Sequence, residues 1–323
     1  MKFIDLHCDT VMKADSICGE QSLYSNDVAS VDFKRMKKGN SMAQFFAIFL
    51  MSRDRLEADY MGDDPYILNK VNLVKETVKV NKEIIDMAYN YDDIIKNNSE
   101  GKMSALLTIE DGRSVDGKIE KIEKYYKLGI RLIGLTWNHE NCFGYPNSDE
   151  PRIMERGLKD FGKEAIEYMN EKGIIIDVSH LSDGGFYDVA KLSKKPFVAS
   201  HSNSRVLSPH RRNLTDDMIR ILGEKGGVAG LNFCPGFLNL DTSMRDSTIE
   251  RMVQHLKHIR NIGGDDVIAL GSDLDGIRGN LEIDSIDKIP LLFEALRKEG
   301  WSEDLIEKLS YKNTLRVIKD TLK

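Results

Sequence analysis

The chain has 323 residues, with 46 basic and 52 acidic side chains and a net charge of −6. That balance excludes a general nucleic-acid binder, which carries a basic face, and the pairs Lys37-Lys38 and Lys194-Lys195 are too short to be more than solvated surface. The absence of any apolar run of about 18 residues excludes a membrane-spanning helix, the start Met1-Lys2-Phe3-Ile4-Asp5 lacks the apolar stretch of a signal peptide, and four cysteines (Cys8, Cys18, Cys142, Cys234) with no C-x-x-C pair point to a reduced, cytoplasmic setting.

Taken in chain order, apolar runs rich in Ile, Val, Phe and Leu alternate with segments of helical periodicity. Residues 3–9 read as a buried strand, followed by an irregular excursion over 10–41 and a second strand at 42–50. Residues 66–97 carry apolar positions at helical spacing, 103–110 form the third strand, 119–128 a helix and 130–137 the fourth strand. A helix over 155–172 leads to strands at 174–180 and 197–201; a helix over 215–224, started by Thr215, leads to the strand at 227–233. A helix over 247–262 precedes the eighth strand at 267–273. The tail 289–322 reads as helix with a break at Gly300 and an N-cap at Ser302. Gly129, Gly173 and Gly226 each fall between a helix and a strand, where a left-handed C-cap is wanted. Eight strands alternating with helices predict a parallel sheet covered on its faces. Closed, this is a (β/α)8 TIM barrel spanning residues 1–323 as a single domain with extra C-terminal helices; an open doubly wound sheet is the alternative.

In such barrels the active site lies at the C-terminal ends of the strands. His7 and Asp9 end the first strand, Glu110 the third, His180 the fifth, His201 the sixth and Asp273 the eighth, while His139 follows the fourth. His7 and Asp9, two apart on a strand, share a face that Cys8 does not. Glu110 ends an apolar strand, where a carboxylate could bridge two cations. Two neighbouring strands both end in Ser-His, which argues against isolated core histidines and for ligands of zinc or a related metal. Asp273, at a strand tip, could hold a proton, with Asp275 as the competing choice. Asp177 falls by alternation on the face opposite His180, towards the helices, which requires either a buried partner or a bulged strand, and it is not assigned to the site. His255 and His258, three apart on a polar helix, read as surface residues, and His210 in its basic loop as a poor ligand.

The segments Asp5-Leu6-His7-Cys8-Asp9-Thr10, Ile176-Asp177-Val178-Ser179-His180, Ala199-Ser200-His201-Ser202-Asn203 followed by His210-Arg211-Arg212-Asn213, and Gly271-Ser272-Asp273-Leu274-Asp275-Gly276, in that order, resemble the membrane (renal) dipeptidase family of zinc-dependent amidohydrolase-type barrels. The resemblance covers essentially the whole chain. It implies a metallo-dipeptidase with two Zn2+ per chain that generate a bridging hydroxide. His7 and Asp9 would hold one zinc and His180 and His201 the other, with Glu110 bridging them. Asp273 would be the general base, His139 would contact the scissile group, and Arg212 would grip the substrate carboxylate. It further implies dipeptide substrates with an L-residue first and an L- or D-residue second, and a homodimer would fit the family. Glu110 is followed by Asp111, where the family commonly has Gly. Rival readings are another barrel amidohydrolase (N-acyl-amino-acid hydrolase, lactonase or deaminase) and a non-catalytic metal-binding protein.

Overall fold

A computed structural model describes residues 1–13, 23–51, 60 and 62–323. Its eight barrel strands are β1 (Phe3–Cys8), β2 (Ser41–Phe49), β3 (Met103–Glu110), β4 (Ile130–Gly134), β5 (Ile175–Asp177), β6 (Val198–Ala199), β7 (Val228–Leu231) and β8 (Ile268–Leu270). All neighbours pair in parallel, and the sheet closes because β1 pairs with both β2 and β8 while β2 also pairs with β3. The closed (β/α)8 barrel therefore replaces the open sheet, and all eight predicted strands are found.

Two apolar layers hold the barrel. Inside it lie Ile4, Phe45, Leu106, Leu132, Ile175, Val198, Val228 and Ala269, against which Leu315, Ile318 and Leu322 of the last helical segment pack. Outside it a larger cluster joins the other face of the strands to the surrounding helices, including Phe46, Ile109, Ile133, Ile176 and Leu231. Both faces of each strand are apolar, which is why the sequence shows runs rather than alternation.

Several helices start where expected. Thr215 caps Asp216–Glu224 by accepting from Met218 N, and Ser302 caps Glu303–Glu307 by accepting from Leu305 N. Gly129, Gly173 and Gly226 all have positive φ. The continuous helix predicted over 66–97 is instead broken. Asp63–Val80 ends at Asn81, whose side chain donates to Thr77 O at 2.8 Å. Ile85–Met87 then adds a short strand to β3 at Met103–Ala105, and Asn90 caps Tyr91–Ser99 through Asp93 N. The apolar residues of 84–87 fit a helical period by coincidence of spacing, and pairing with β3 overrides it. The predicted helix over 155–172 begins later, at Asp160. His255 corrects a second expectation: it is fully buried, its Nδ1 accepting from Ser204 N (3.1 Å) and its Nε2 donating to Leu238 O (3.0 Å). His258 stays near the surface, paired with Asp216 at 2.7 Å.

Among the described residues no helix is long and apolar enough to cross a membrane. Cys8, Cys142 and Cys234 are free thiols, and Cys18 lies outside the described residues.

Just below the strand ends the barrel interior narrows around the Ser200 carbonyl. A Cβ on Gly271 would sit 1.7 Å from Ser200 O, and one on Gly230 1.9 Å from the same atom. These contacts are to backbone, so no rotamer change relieves them. Gly271→Ala is therefore expected to destabilise the fold by at least about 1–3 kcal/mol, the usual cost of overpacking a core, read as a lowered denaturation midpoint; an unchanged midpoint would show that the strand ends can move apart.

Candidate active site

β1 carries a bulge. It advances from Asp5 to Cys8 while β2 advances only from Gln44 to Phe46. The extra residue re-aims the strand end, and Cys8 turns into the outer core with its thiol towards Phe45 O. His7 and Asp9 meet the carboxylate of Glu110 at the mouth. His7 Nε2 lies 3.4 Å from Glu110 Oε2 and 3.7 Å from Asp9 Oδ2. On the other side, Glu110 Oε1 lies 2.9 Å from His180 Nε2 and 3.7 Å from His201 Nε2, and those two nitrogens are 3.1 Å apart. The two oxygens of Glu110 thus face two different sets of imidazoles. Asp273 Oδ1 completes the group 4.0 Å from His7 Nε2.

The donor set fits a metal. His7, Glu110 and His201 form one cluster whose ligand atoms lie within 4.8 Å of one another, and His7, Asp9 and Asp273 form another. All five residues are buried, yet His7 Nε2 and Asp9 Oδ1 have no hydrogen-bond partner. Buried polar atoms are rarely left so, and cations facing them would satisfy both.

Electrostatics agree. Burial lowers the proton affinity of His180 and His201 well below the usual histidine range, helped by Arg212 and His7, so both imidazoles are neutral with lone pairs available. Burial, and then the charge of Asp9, push Glu110 up to about 8. Burial pushes Asp273 up to about 7, against the opposing pull of His7. At His7 burial alone would lower the proton affinity, but Glu110 and Asp9 more than reverse it. Crowded out of water, Glu110 and Asp273 hold protons unless a cation replaces them.

Asp273 and Asp275 are separated by geometry. Asp275 accepts from Thr10 Oγ1 (2.5 Å), Lys13 Nζ (2.8 Å) and Ser30 N (2.8 Å), which ties the segment after β1 to the loop after β8. Asp273 faces the cluster; its N–H donates to His7 O, and its Oδ2 accepts from Asn232 Nδ2 at 2.8 Å. Both aspartates have positive φ, 61° and 74°. Asp111, where Gly was noted as common, also has a positive φ of 76°. It holds that backbone by accepting from Arg113 N (3.0 Å) and Asn141 Nδ2 (2.9 Å).

Arg211 and Arg212, separable in the sequence only by the family motif, differ as sharply. Arg211 pairs with the exposed Asp149. Arg212 is buried, its Nη1 donating to Ser179 O and Ser202 Oγ, while its Nε and Nη2 have no hydrogen-bond partner. His139 is not brought into the cluster; it is exposed at the rim, 5.9 Å between ring centroids from Trp137, which in turn lies 6.3 Å from His180. His210 packs at a tilt against Phe237, with ring centroids 4.4 Å apart, and is part of neither cluster.

Sequence reasoning missed two supporting side chains and gave a third, Asp177, its buried partners but the wrong face. Asn232, in the loop after β7, holds Asp273. Asn138 Oδ1 lies 3.3 Å from His180 Nδ1. Asp177 was placed towards the helices, but β5 ends at Asp177, so alternation cannot be carried through the turn to His180. With Ile175 inside the barrel, Asp177 points inside too, buried among Ser179 and Ser200. The doubled Ser-His was the available signal for it.

A closed parallel barrel whose mouth gathers buried imidazoles and carboxylates from five strand ends defines a barrel hydrolase of the metal-dependent kind. The membrane dipeptidase family, peptidase family M19, matches residues 1–323, and the chain belongs to that family. An uncharacterised dipeptidase of Schizosaccharomyces pombe is 31% identical over 92% of this chain and 74% of its own length. A crystal structure of a metallopeptidase of family M19, named dipeptidase AC, superposes with a TM-score of 0.90 at 26% identity, covering 100% of this chain and 99% of that one. A Rhodobacter sphaeroides metallopeptidase, liganded with a phosphinate mimic of the dipeptide L-Ala-D-Ala, shares the fold with a TM-score of 0.90 at 24% identity, covering 99% of both chains.

The carboxyl cluster sets a pH dependence. Glu110 and Asp273 bind protons more tightly in the folded, metal-free chain (about 8 and about 7) than at their ordinary values of 4.5 and 3.8. The stabilisation this provides is complete below the ordinary values and is lost as pH rises through about 7 to 8. Metal-free protein should therefore unfold at a higher denaturant concentration near pH ~6 than near pH ~9. Metal affinity should run the other way and weaken on acidification. A flat profile for the metal-free protein would show that the cluster is solvated.

Proposed function

We propose that this member of the family is a dipeptidase that works with two zinc ions and cleaves dipeptides with an L-residue first and an L- or D-residue second. The observation that carries the reading is the pairing of a buried, unsatisfied ligand cluster with a buried guanidinium beside it whose Nε and Nη2 have no hydrogen-bond partner. His7 and Asp9 would hold one ion, His180 and His201 the other, and Glu110 would span both, since its oxygens already face the two sides. When bound, the ions polarise the peptide carbonyl and supply a nucleophilic water near neutral pH.

The remaining work falls to side chains. Arg212 Nε and Nη2 take the terminal carboxylate of the substrate, a bidentate match that a Lys does not reproduce. This grip fixes how far the chain extends past the scissile bond and so favours very short substrates. His139 at the rim contacts the scissile group. Asp273 has one oxygen committed to Asn232, so Oδ1 is the oxygen that accepts the proton of the attacking water and returns it to the leaving amine.

Purified protein should contain about two zinc per chain and hydrolyse an L,L- and L,D-dipeptide panel, with activity lost on chelation and restored by metal. Metal bound with no dipeptide cleaved would turn the reading to another amidohydrolase substrate. Asp273→Asn should lower kcat by about 10²–10⁴-fold with metal content unchanged. Near-normal turnover would remove Asp273 from the mechanism. Arg212→Lys should act mainly on KM, raising it at least about tenfold, and a substrate with an amidated C-terminus should be insensitive to that change.

A further inference from the structure

We propose that Asp177 is a positioning residue that acts through the Ser200 hydroxyl to hold His201 in the Nδ1–H tautomer, leaving the bare Nε2 facing the ligand cluster. The inference rests on the reading of His201 as a metal ligand. It adds a part that this reading does not need: a carboxylate–hydroxyl–imidazole chain beneath the site.

Asp177 is buried at the end of β5 and receives four hydrogen bonds. Its Oδ1 accepts from Ser179 N (3.0 Å), Ser179 Oγ (2.6 Å) and Ser200 N (2.9 Å), and its Oδ2 accepts from Ser200 Oγ (2.5 Å). Every donor comes from the residue just before a candidate ligand, His180 or His201. The Ser200 hydroxyl also lies 2.7 Å from His201 Nδ1. A hydroxyl has one hydrogen to donate and lone pairs to accept with. At 2.5 Å from an acceptor-only carboxylate oxygen, that hydrogen goes to Asp177. Towards His201 the hydroxyl presents a lone pair, so Nδ1 carries the proton and Nε2 does not. Ser179 cannot alter this. Its hydroxyl hydrogen goes to Asp177 Oδ1, and its lone pair accepts from His201 N at 3.1 Å.

The chain is also held rigidly. No Cβ fits on Gly230 or Gly271 beside the Ser200 carbonyl, and the Ser200 N–H is held on Asp177, so the backbone that carries the hydroxyl is closely packed. Outer partners of this kind fix the tautomer and ring orientation of a ligating histidine, and their loss costs about 10–100-fold in metal affinity. At the other imidazole, the Asn138 side-chain oxygen 3.3 Å from His180 Nδ1 stands in the corresponding place.

Asp177→Asn separates this role from mere bracing of two loops. The amide oxygen would keep the Ser179 and Ser200 backbone donors, and the amide nitrogen would take the place of Oδ2. That nitrogen donates to Ser200 Oγ, whose own hydrogen must turn to His201 Nδ1. The relay inverts, and the proton of His201 moves to Nε2, the atom that faces the metal. The test uses ¹⁵N-histidine-labelled full-length protein without metal, with tautomers read from imidazole ¹⁵N shifts and His201 assigned by comparison with His201→Gln. Metal affinity is then measured by chelator competition. The expected result is Nδ1–H in the wild type, Nε2–H in Asp177→Asn, and a mixture in Ser200→Ala, with zinc affinity at least about tenfold weaker in both variants. Retention of a pure Nδ1–H tautomer and wild-type zinc affinity in Asp177→Asn would overturn the proposal. Should that variant not fold, the same result in Ser200→Ala, which removes a single oxygen, would overturn it equally. The wild type, carried through the same zinc titration and the dipeptide panel, tests the dipeptidase reading separately, because the tautomer of the metal-free protein does not depend on it.

Discussion

The constraint on which the site depends is the burial of Asp9, Glu110 and Asp273 around one imidazole, His7, at the mouth of the barrel. Like charges taken out of water repel one another and lose their hydration. The fold tolerates them only with protons or cations between them. Everything nearby serves that arrangement. The bulge in β1 aims His7 and Asp9, the pairing of Phe49 with Glu110 fixes the third carboxylate's strand end, and the hydrogen bond from Asp273 N to His7 O joins β8 to the same point. The cluster is an energetic liability that becomes a site when metal is supplied, as expected where stability is given up for function.

Beneath the cluster the barrel changes character. The lower interior is a plain apolar layer of Ile, Leu, Val and Phe side chains. Above it, Gly134, Asp177, Ser200, Gly230 and Gly271 give a layer of small and polar residues. The small residues let strand ends approach closely, and the polar ones replace the ladder hydrogen bonds lost where strands stop. This explains why β5, β6 and β8 end two or three residues before His180, His201 and Asp273. The backbone that carries these three residues leaves the sheet, and side-chain hydrogen bonds take over as its support.

The barrel was legible because parallel strands buried on both faces write themselves as apolar runs, and each of the eight is present. The convergence of His7, Asp9, Glu110, His180, His201 and Asp273 was legible for the same reason: strand ends in a closed barrel share one mouth. What stayed hidden follows from local geometry. The short strand at Ile85–Met87 was absorbed into a helical period because its few apolar residues satisfy both spacings. Asp177 was misplaced because alternation was carried past the end of β5. His255 looked like surface because its helix is polar, whereas its burial depends on backbone partners at Ser204 and Leu238 from distant loops. Arg211 and Arg212 could be told apart in the sequence only by the family motif, because burial, which separates them in three dimensions, leaves no local pattern.

The attachment of Asp273 to Asn232 has a consequence for how such proteins diversify. The loop that follows Asn232 carries Cys234, Phe237 and the exposed Leu240 and Met244, and it approaches the site from one side. Asn232 is tied to the aspartate, to His201 O and to Asn203, and Phe237 O still accepts from Asn203 and Asn213, whereas residues 240–246 are exposed. A drifting lineage could therefore exchange or lengthen the distal part of this loop and meet new substrates without disturbing the reactive centre, provided the first residue stayed fixed. The stretch between Asn232 and Phe237 marks the seam between the anchored centre and the part of the molecule free to explore.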